Sequence, residues 1–272
     1  MTGQDDPARY RSSAAGSSLA HGERSPSSAM RQLLPSLVDP VDPMAAYGDL
    51  PAAPGRPAVR LNMITSIDGA TAVAGVSGGL GGRADHALFA VLRSLADVVL
   101  VAAGTVRAER YGPSSTPVAV VSRSLRLDWD APFFTAPLAR PIVVTVARAP
   151  AAQRARATAV ADVVVAGDRD VDLAAALAAL ADRGHQAVLA EGGPNLNGQL
   201  ARAGLLDELC VTLSPRLAGG GDAKRILDGP SLPAPAGLRL CSVCEQDGFL
   251  FLRYRPGRAG AGPADPSGGW HA

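Results

Sequence analysis

The chain has 272 residues, an apolar fraction of 47% and a formal net charge of +1. That length admits one large domain or two small ones, with enough apolar content for a core. Aromatic residues are only 4% and no basic run occurs, which argues against a stacking platform for nucleic acid or a polybasic membrane contact.

Residues 1–30 are rich in Ser, Ala, Gly and Arg and read as a disordered tail. Residues 31–57 form a Pro-rich lead-in, in which LLPSLV offers apolar contacts but the prolines oppose regular structure. The folded unit is expected at 58–256, and the Gly/Pro-rich 257–272 reads as a second tail. Within the unit, Ala58–Ile64 predicts a strand closed by the turn Ser66-Ile67-Asp68-Gly69. Leu88, Leu92 and Leu95 recur at helical spacing, so Arg83–Ala96 predicts an amphipathic helix. Asp97–Ala102, Pro117–Val121, Pro141–Val146 and Asp162–Ala166 are short apolar runs of the kind buried in a parallel sheet. Val171–Asp182 predicts a helix stopped by Gly184, and Gln186–Ala190 a further strand. Glu208–Leu213, Leu238–Val243 and Phe249–Tyr254 follow with little helix between them, and Gln246-Asp247-Gly248 reads as a hairpin turn. Repeated βα units ending in strands predict an α/β layered sheet, mostly parallel with antiparallel C-terminal strands.

Cys210, Cys241 and Cys244 do not make a disulfide framework in a chain of this length. Cys241-Ser-Val-Cys244 has C-x-x-C spacing without a second pair, so a reduced structural reading stands ahead of a metal or redox one. No apolar run approaches the roughly 20 residues that span a bilayer. No signal-peptide core is present, and a cytoplasmic protein without a metal site is the expectation.

Ligands of open α/β sheets sit beyond the carboxyl ends of the strands. Three such ends carry unusual residues: Asn62-Met63-Ile64, Gly104-Thr105 followed by Glu109, and Glu191-Gly192-Gly193. At Gly104-Thr105 the hydroxyl suits a helix N-cap, and the helix end suits an anion. In AEGGPNLNGQL, Gly192 and Gly193 supply backbone freedom, Pro194 presets a first helical turn, and Leu196 and Leu200 anchor the helix. A fourth strand end carries Ser122-Arg123, and a guanidinium there suits a phosphate. Neither a G-x-G-x-x-G fingerprint nor a P-loop is present. The G-x-S-x-G element of serine hydrolases is absent as well.

The segments LNMITSIDGATAVAGVSGG, LRSLADVVLVAAGTVRAERYGP and LAEGGPNLNGQLARAGLLDELCVTLSPRLAGGG occur in an order and spacing that resemble a known family. It is the pyrimidine reductase family of riboflavin biosynthesis, related to dihydrofolate reductase. The resemblance implies a dihydrofolate-reductase-like three-layer α/β/α sandwich, NADPH as hydride donor and a homodimer. It further implies reduction of 5-amino-6-(5-phosphoribosylamino)uracil by a stand-alone enzyme without a deaminase domain. Carried over position by position, the cofactor falls to Ile64, Gly104, Thr105, Glu109 and the Gly192, Gly193, Pro194, Asn195, Leu196 turn. Ser122 and Arg123 resemble the Ser-Arg pair that takes the 2′-phosphate in dihydrofolate reductases. Ser77, Arg93 and Glu191 match the positions that hold the phosphorylated pyrimidine, with Glu191 and Asn62 at the catalytic centre. On this reading Glu191 points towards the pyrimidine while Gly192 and Gly193 face the cofactor's diphosphate. The chain departs from the family pattern at Asn62, where Lys is usual, at Gly79, where Trp is usual, and at Arg110-Tyr111-Gly112-Pro113. Those departures keep two other readings open: a pterin substrate, or an NADPH-binding protein without catalysis.

Overall fold

The computed structural model describes residues 29–220 and 223–257. The two expected tails thus lie almost wholly outside the described residues. In chain order the elements are β1 (Arg31–Leu34), α1 (Pro43–Tyr47), β2 (Ala58–Ser66), a 3₁₀ turn at Ser77–Gly79, α2 (Arg83–Ser94), β3 (Val98–Ala102) and α3 (Ala103–Ala108). There follow β4 (Val118–Val121), α4 (Pro132–Thr135), β5 (Ile142–Thr145), α5 (Ala151–Val160), β6 (Asp162–Val165) and α6 (Leu173–Ala181). The chain continues with β7 (Ala187–Ala190), α7 (Pro194–Arg202), β8 (Glu208–Ser214), β9 (Leu238–Gln246) and β10 (Phe249–Pro256).

All ten strands form one sheet in the order β1-β9-β10-β8-β2-β7-β3-β4-β5-β6. From β8 to β6 the pairing is parallel, whereas β10 runs antiparallel to β8 and to β9. The central strands are apolar on both faces because both faces are covered. In β3, Val99 and Val101 enter one core with Leu88 and Leu92 of α2, while Val98 and Leu100 enter the other with Leu177 of α6 and Leu200 of α7. Alternation within a single strand therefore builds two cores, and the result is the α/β/α sandwich expected from the sequence. Each fully buried leucine in these cores contributes about 2 kcal/mol by removal from water.

Local signals act where they were read. Gly184 follows the end of α6 at φ +90°, and Asp172, not singled out in the sequence, caps its start by accepting the Ala175 N–H at 3.0 Å. Asp247 and Gly248 both lie at positive φ, 53° and 80°, as a two-residue hairpin turn requires. The lead-in corrects the sequence reading. It contains β1, paired antiparallel with β9, and α1, whose prolines sit outside the hydrogen-bonded ladder or at the first helical turn. Its order has a polar cause. Arg60 and Arg253, both buried, donate to the Tyr47 and Ala46 carbonyls at the end of α1, each at 2.6 Å. The same two arginines pair with the fully buried Glu208 at 2.6 and 2.8 Å, and Arg253 also pairs with Asp49. Burial pushes the Glu208 carboxyl up, but hydrogen bonds and charge from Arg253 and Arg60 outweigh it, and its pKa lies below the usual range.

Candidate active site

Strand order assembles the site. β7 lies between β2 and β3, so the Glu191-Gly192-Gly193 turn is flanked by the Asn62–Ile64 segment and by Gly104-Thr105. The three strand ends singled out in the sequence are therefore neighbours. Two backbone hydrogen bonds fix the central turn: Glu191 N–H donates to Leu100 O at 3.0 Å and Ala102 N–H to Gly192 O at 2.7 Å. Gly192 is at φ +93°, in the left-handed region, and the Gly192–Gly193 peptide is cis. Gly193 is the N-cap of α7, with Pro194 in its first turn and no side chain capping the end. A Cβ on Gly193 would stand 2.9 Å from the Thr105 hydroxyl, so the two motifs touch through the absence of a side chain.

Two clefts meet over that contact. One, of about 370 Å³, is walled by Asn62 and Ile64 of β2, Ser77, Arg93 of α2, Glu109 and Glu191. The other, of about 640 Å³, runs past Arg123, Asp170 and Val171 to Asn195, Leu196 and Gln199 of α7. Gly104, Thr105, Gly193, Pro194 and Lys224 line both.

Glu191 is the polar centre of the smaller cleft. Its oxygens accept from Arg93 Nε and Nη2, both at 2.7 Å, and from the Tyr111 hydroxyl at 2.6 Å. The Arg93 guanidinium also lies 4.6 Å from the Phe89 ring centroid and 5.5 Å from that of Tyr111. An ionised carboxylate offers about four acceptor positions, and three are filled here. One is left open. Burial draws the Arg93 pKa down, but the Glu191 carboxylate outweighs it and leaves the guanidinium above its ordinary value. Burial first, then the Glu191 charge, push the Tyr111 phenol well above its usual range, so it keeps its proton and donates. Asp85, in the first turn of α2 and also on the cleft wall, is raised by burial, against a hydrogen bond from Thr212 that lowers it.

Several sequence expectations change. Thr105 does not cap a helix: α3 begins at Ala103 with Ala102 as N-cap, and the hydroxyl of Thr105 meets Gly193. Ser122 is turned into its own loop, where Oγ accepts the Leu125 N–H at 3.0 Å, and it does not line the cleft. Arg123 reaches the cleft but pairs with Asp170 at 2.7 Å, and both are exposed. Glu109 accepts the Ser77 backbone N–H at 2.8 Å and so holds the 3₁₀ turn over the cleft. Gly192 lines neither cleft and turns the backbone behind the wall at positive φ. Among the lining residues that escaped the sequence reading are Asp85, Tyr111 and Lys224. Tyr111 was visible only as a departure from the family pattern, and Lys224 only as the one lysine of the chain.

The layered sheet and the paired clefts at its carboxyl edge define a protein of the dihydrofolate-reductase-like α/β/α class. The chain belongs to the RibD C-terminal domain family, whose model matches residues 57–248. It is 33% identical over 193 residues to the 2,5-diamino-6-ribosylamino-4(3H)-pyrimidinone 5′-phosphate reductase of Methanothermobacter thermautotrophicus, a match covering 65% of this chain and 86% of that protein. The Aquifex aeolicus protein of the same name is 28% identical over 146 residues, 51% of this chain and 65% of its own length. Among solved structures, a pyrimidine reductase-like protein of Corynebacterium diphtheriae superposes with a TM-score of 0.69 at 27% identity, covering 80% of this chain and all of that one. The riboflavin biosynthesis reductase of Saccharomyces cerevisiae shares the fold, with a TM-score of 0.62 at 19% identity over 79% of this chain and 95% of its own.

Proposed function

We propose that this oxidoreductase reduces the ribosyl side chain of a ribosylaminopyrimidine 5′-phosphate in riboflavin biosynthesis, using NADPH, as a cytosolic homodimer. The observation that carries the reading is the junction of two clefts over Gly193 and Pro194, with the Glu191 carboxylate in one and the α7 N-terminus at the seam. The residues present suit a nicotinamide dinucleotide: the larger cleft accommodates an extended ligand, and the Gly193–Thr105 contact leaves a backbone cradle that any Cβ would fill. The uncapped N–H groups of α7 complement a diphosphate there. When bound, the reduced nicotinamide supplies hydride to C1′ of the ring-opened substrate, and a proton completes the reduction at the adjoining nitrogen.

The chain's own residues bind and orient. Glu191 accepts an N–H of the pyrimidine on its remaining position, and Arg93 and Tyr111 hold the carboxylate in place. Asn62 presents an uncharged amide where the family's usual lysine would place a cation. Ser77 and the Glu109 carboxylate that fixes its backbone close the far wall.

The relatives are named for the diamino-pyrimidinone, whereas the sequence reading implied the deaminated uracil. A carboxylate suits either ring, because both carry N–H donors. Purified protein should oxidise NADPH with one of these two ribosylaminopyrimidine phosphates, be slower with NADH, and elute as a dimer. Turnover of dihydrofolate with neither pyrimidine reduced would overturn the reading.

A further inference from the structure

Among the described residues that line the two clefts, the guanidinium of Arg93 is committed to Glu191 and that of Arg123 to Asp170. Asp85, Glu109 and Asp228 add further negative charge to the walls. An anionic dinucleotide entering such a groove meets more carboxylates than cations. Lys224 is the only other Lys or Arg on either wall, and no described carboxylate lies within ion-pair distance of its ammonium.

Its backbone is held in place. Lys224 O accepts both the N–H and the hydroxyl of Thr71, at 3.1 and 3.0 Å. Two residues on, Ile226 O accepts from Asn197 Nδ2 at 2.9 Å, and Asp228 N–H donates to Pro194 O at 3.0 Å. The segment is thus fastened to α7 on one side and to the loop after β2 on the other, with the lysine exposed between them. Lys224 belongs to both cleft walls, together with Gly193 and Pro194, and marks the place where a ligand passes from one cleft to the other. The middle of a dinucleotide is its diphosphate.

We propose that Lys224 is the cofactor-diphosphate cation of this protein, facing the anion together with the α7 N-terminus. The inference rests on the reading of the groove as a nicotinamide dinucleotide site. It gives this lysine a binding role distinct from that of the cation missing at Asn62: it neutralises cofactor and makes no contact with the pyrimidine.

The test is equilibrium binding of NADPH and of ADP-ribose to the full chain at low and at raised salt. ADP-ribose keeps the diphosphate but lacks the nicotinamide and the 2′-phosphate. Lys224→Met should weaken both ligands alike, by about tenfold at low salt, as expected for a charge-assisted hydrogen bond at an exposed site. Lys224→Arg should retain most of the affinity, and the pyrimidine KM should stay within about twofold in both variants. Unchanged NADPH affinity in Lys224→Met overturns the inference while leaving the groove's assignment standing. A loss confined to NADPH, or one that appears only in the pyrimidine KM, also overturns it, since the ammonium would then serve another group. A wild-type chain that binds neither ligand overturns the underlying reading and the inference with it.

Discussion

At the residue scale, the ion pair between the half-buried Arg93 and the buried Glu191 governs the site. The Glu191 side chain is only 3% exposed, so removing its partner leaves a charge uncompensated. Arg93→Ala should therefore cost about 1–3 kcal/mol in urea unfolding and abolish turnover. Tyr111→Phe keeps the ring beside Arg93 but removes one donor to the carboxylate, and should cost about 1 kcal/mol in stability. If Glu191 contacts the pyrimidine, the same variant should also lower kcat/KM by about tenfold. A loss of stability with kcat/KM intact would confine Tyr111 to folding. Asp85 provides the pH test. Its folded pKa is raised by burial, so its protonated form contributes stability that is present below the unfolded value of about 4 and lost as pH rises through the folded value. Asp85→Asn should accordingly be at least as stable as the wild type at neutral pH, with the difference fading in acid. Thermal melts at two pH values measure this directly.

At the scale of elements, α7 carries the design. Pro194 and Gly193 start it, Leu196 and Leu200 bury one side of it, and Gly198 receives the loop that bears Lys224. A Cβ on Gly198 would come within 2.1 Å of the Asp228 carbonyl, a backbone atom that cannot swing aside. Gly198→Ala should unseat the segment around 226–230, cost about 1–3 kcal/mol by overpacking, and weaken NADPH binding at a distance from the cofactor. Hydrogen exchange at Asp228, whose N–H is bonded to Pro194 O, reports the unseating. The sequence made the start of α7 legible, because proline and glycine act on their own backbone. It left Gly198 unremarked, because the reason for that glycine is a loop some thirty residues away.

For the whole molecule, the sheet is closed at one side by polar contacts that the sequence reading did not foresee. Tyr47 O and Ala46 O receive the buried guanidinium groups of Arg60 and Arg253. A chain beginning at residue 57 would return those donors to water or leave them unsatisfied, at about 1–3 kcal/mol for each lost acceptor. Such a truncation should lower the urea midpoint clearly, although it removes no residue that lines either cleft. An unchanged midpoint would show that the lead-in is an appendage after all.

The order of elements, the apolar strands and the glycine-proline turn were legible because each depends on the preferences of a few adjacent residues. The family motifs named Arg93 and Glu191 separately, as two groups holding a substrate. Only the tertiary structure made them partners across 98 positions of sequence. Burial on both faces placed β7 between β2 and β3, and that order, not any local preference, decided which side chains meet. The same non-local packing moved Thr105 from helix cap to neighbour of Gly193, turned Ser122 away from the cleft, and brought the chain's one lysine to the seam between the two clefts.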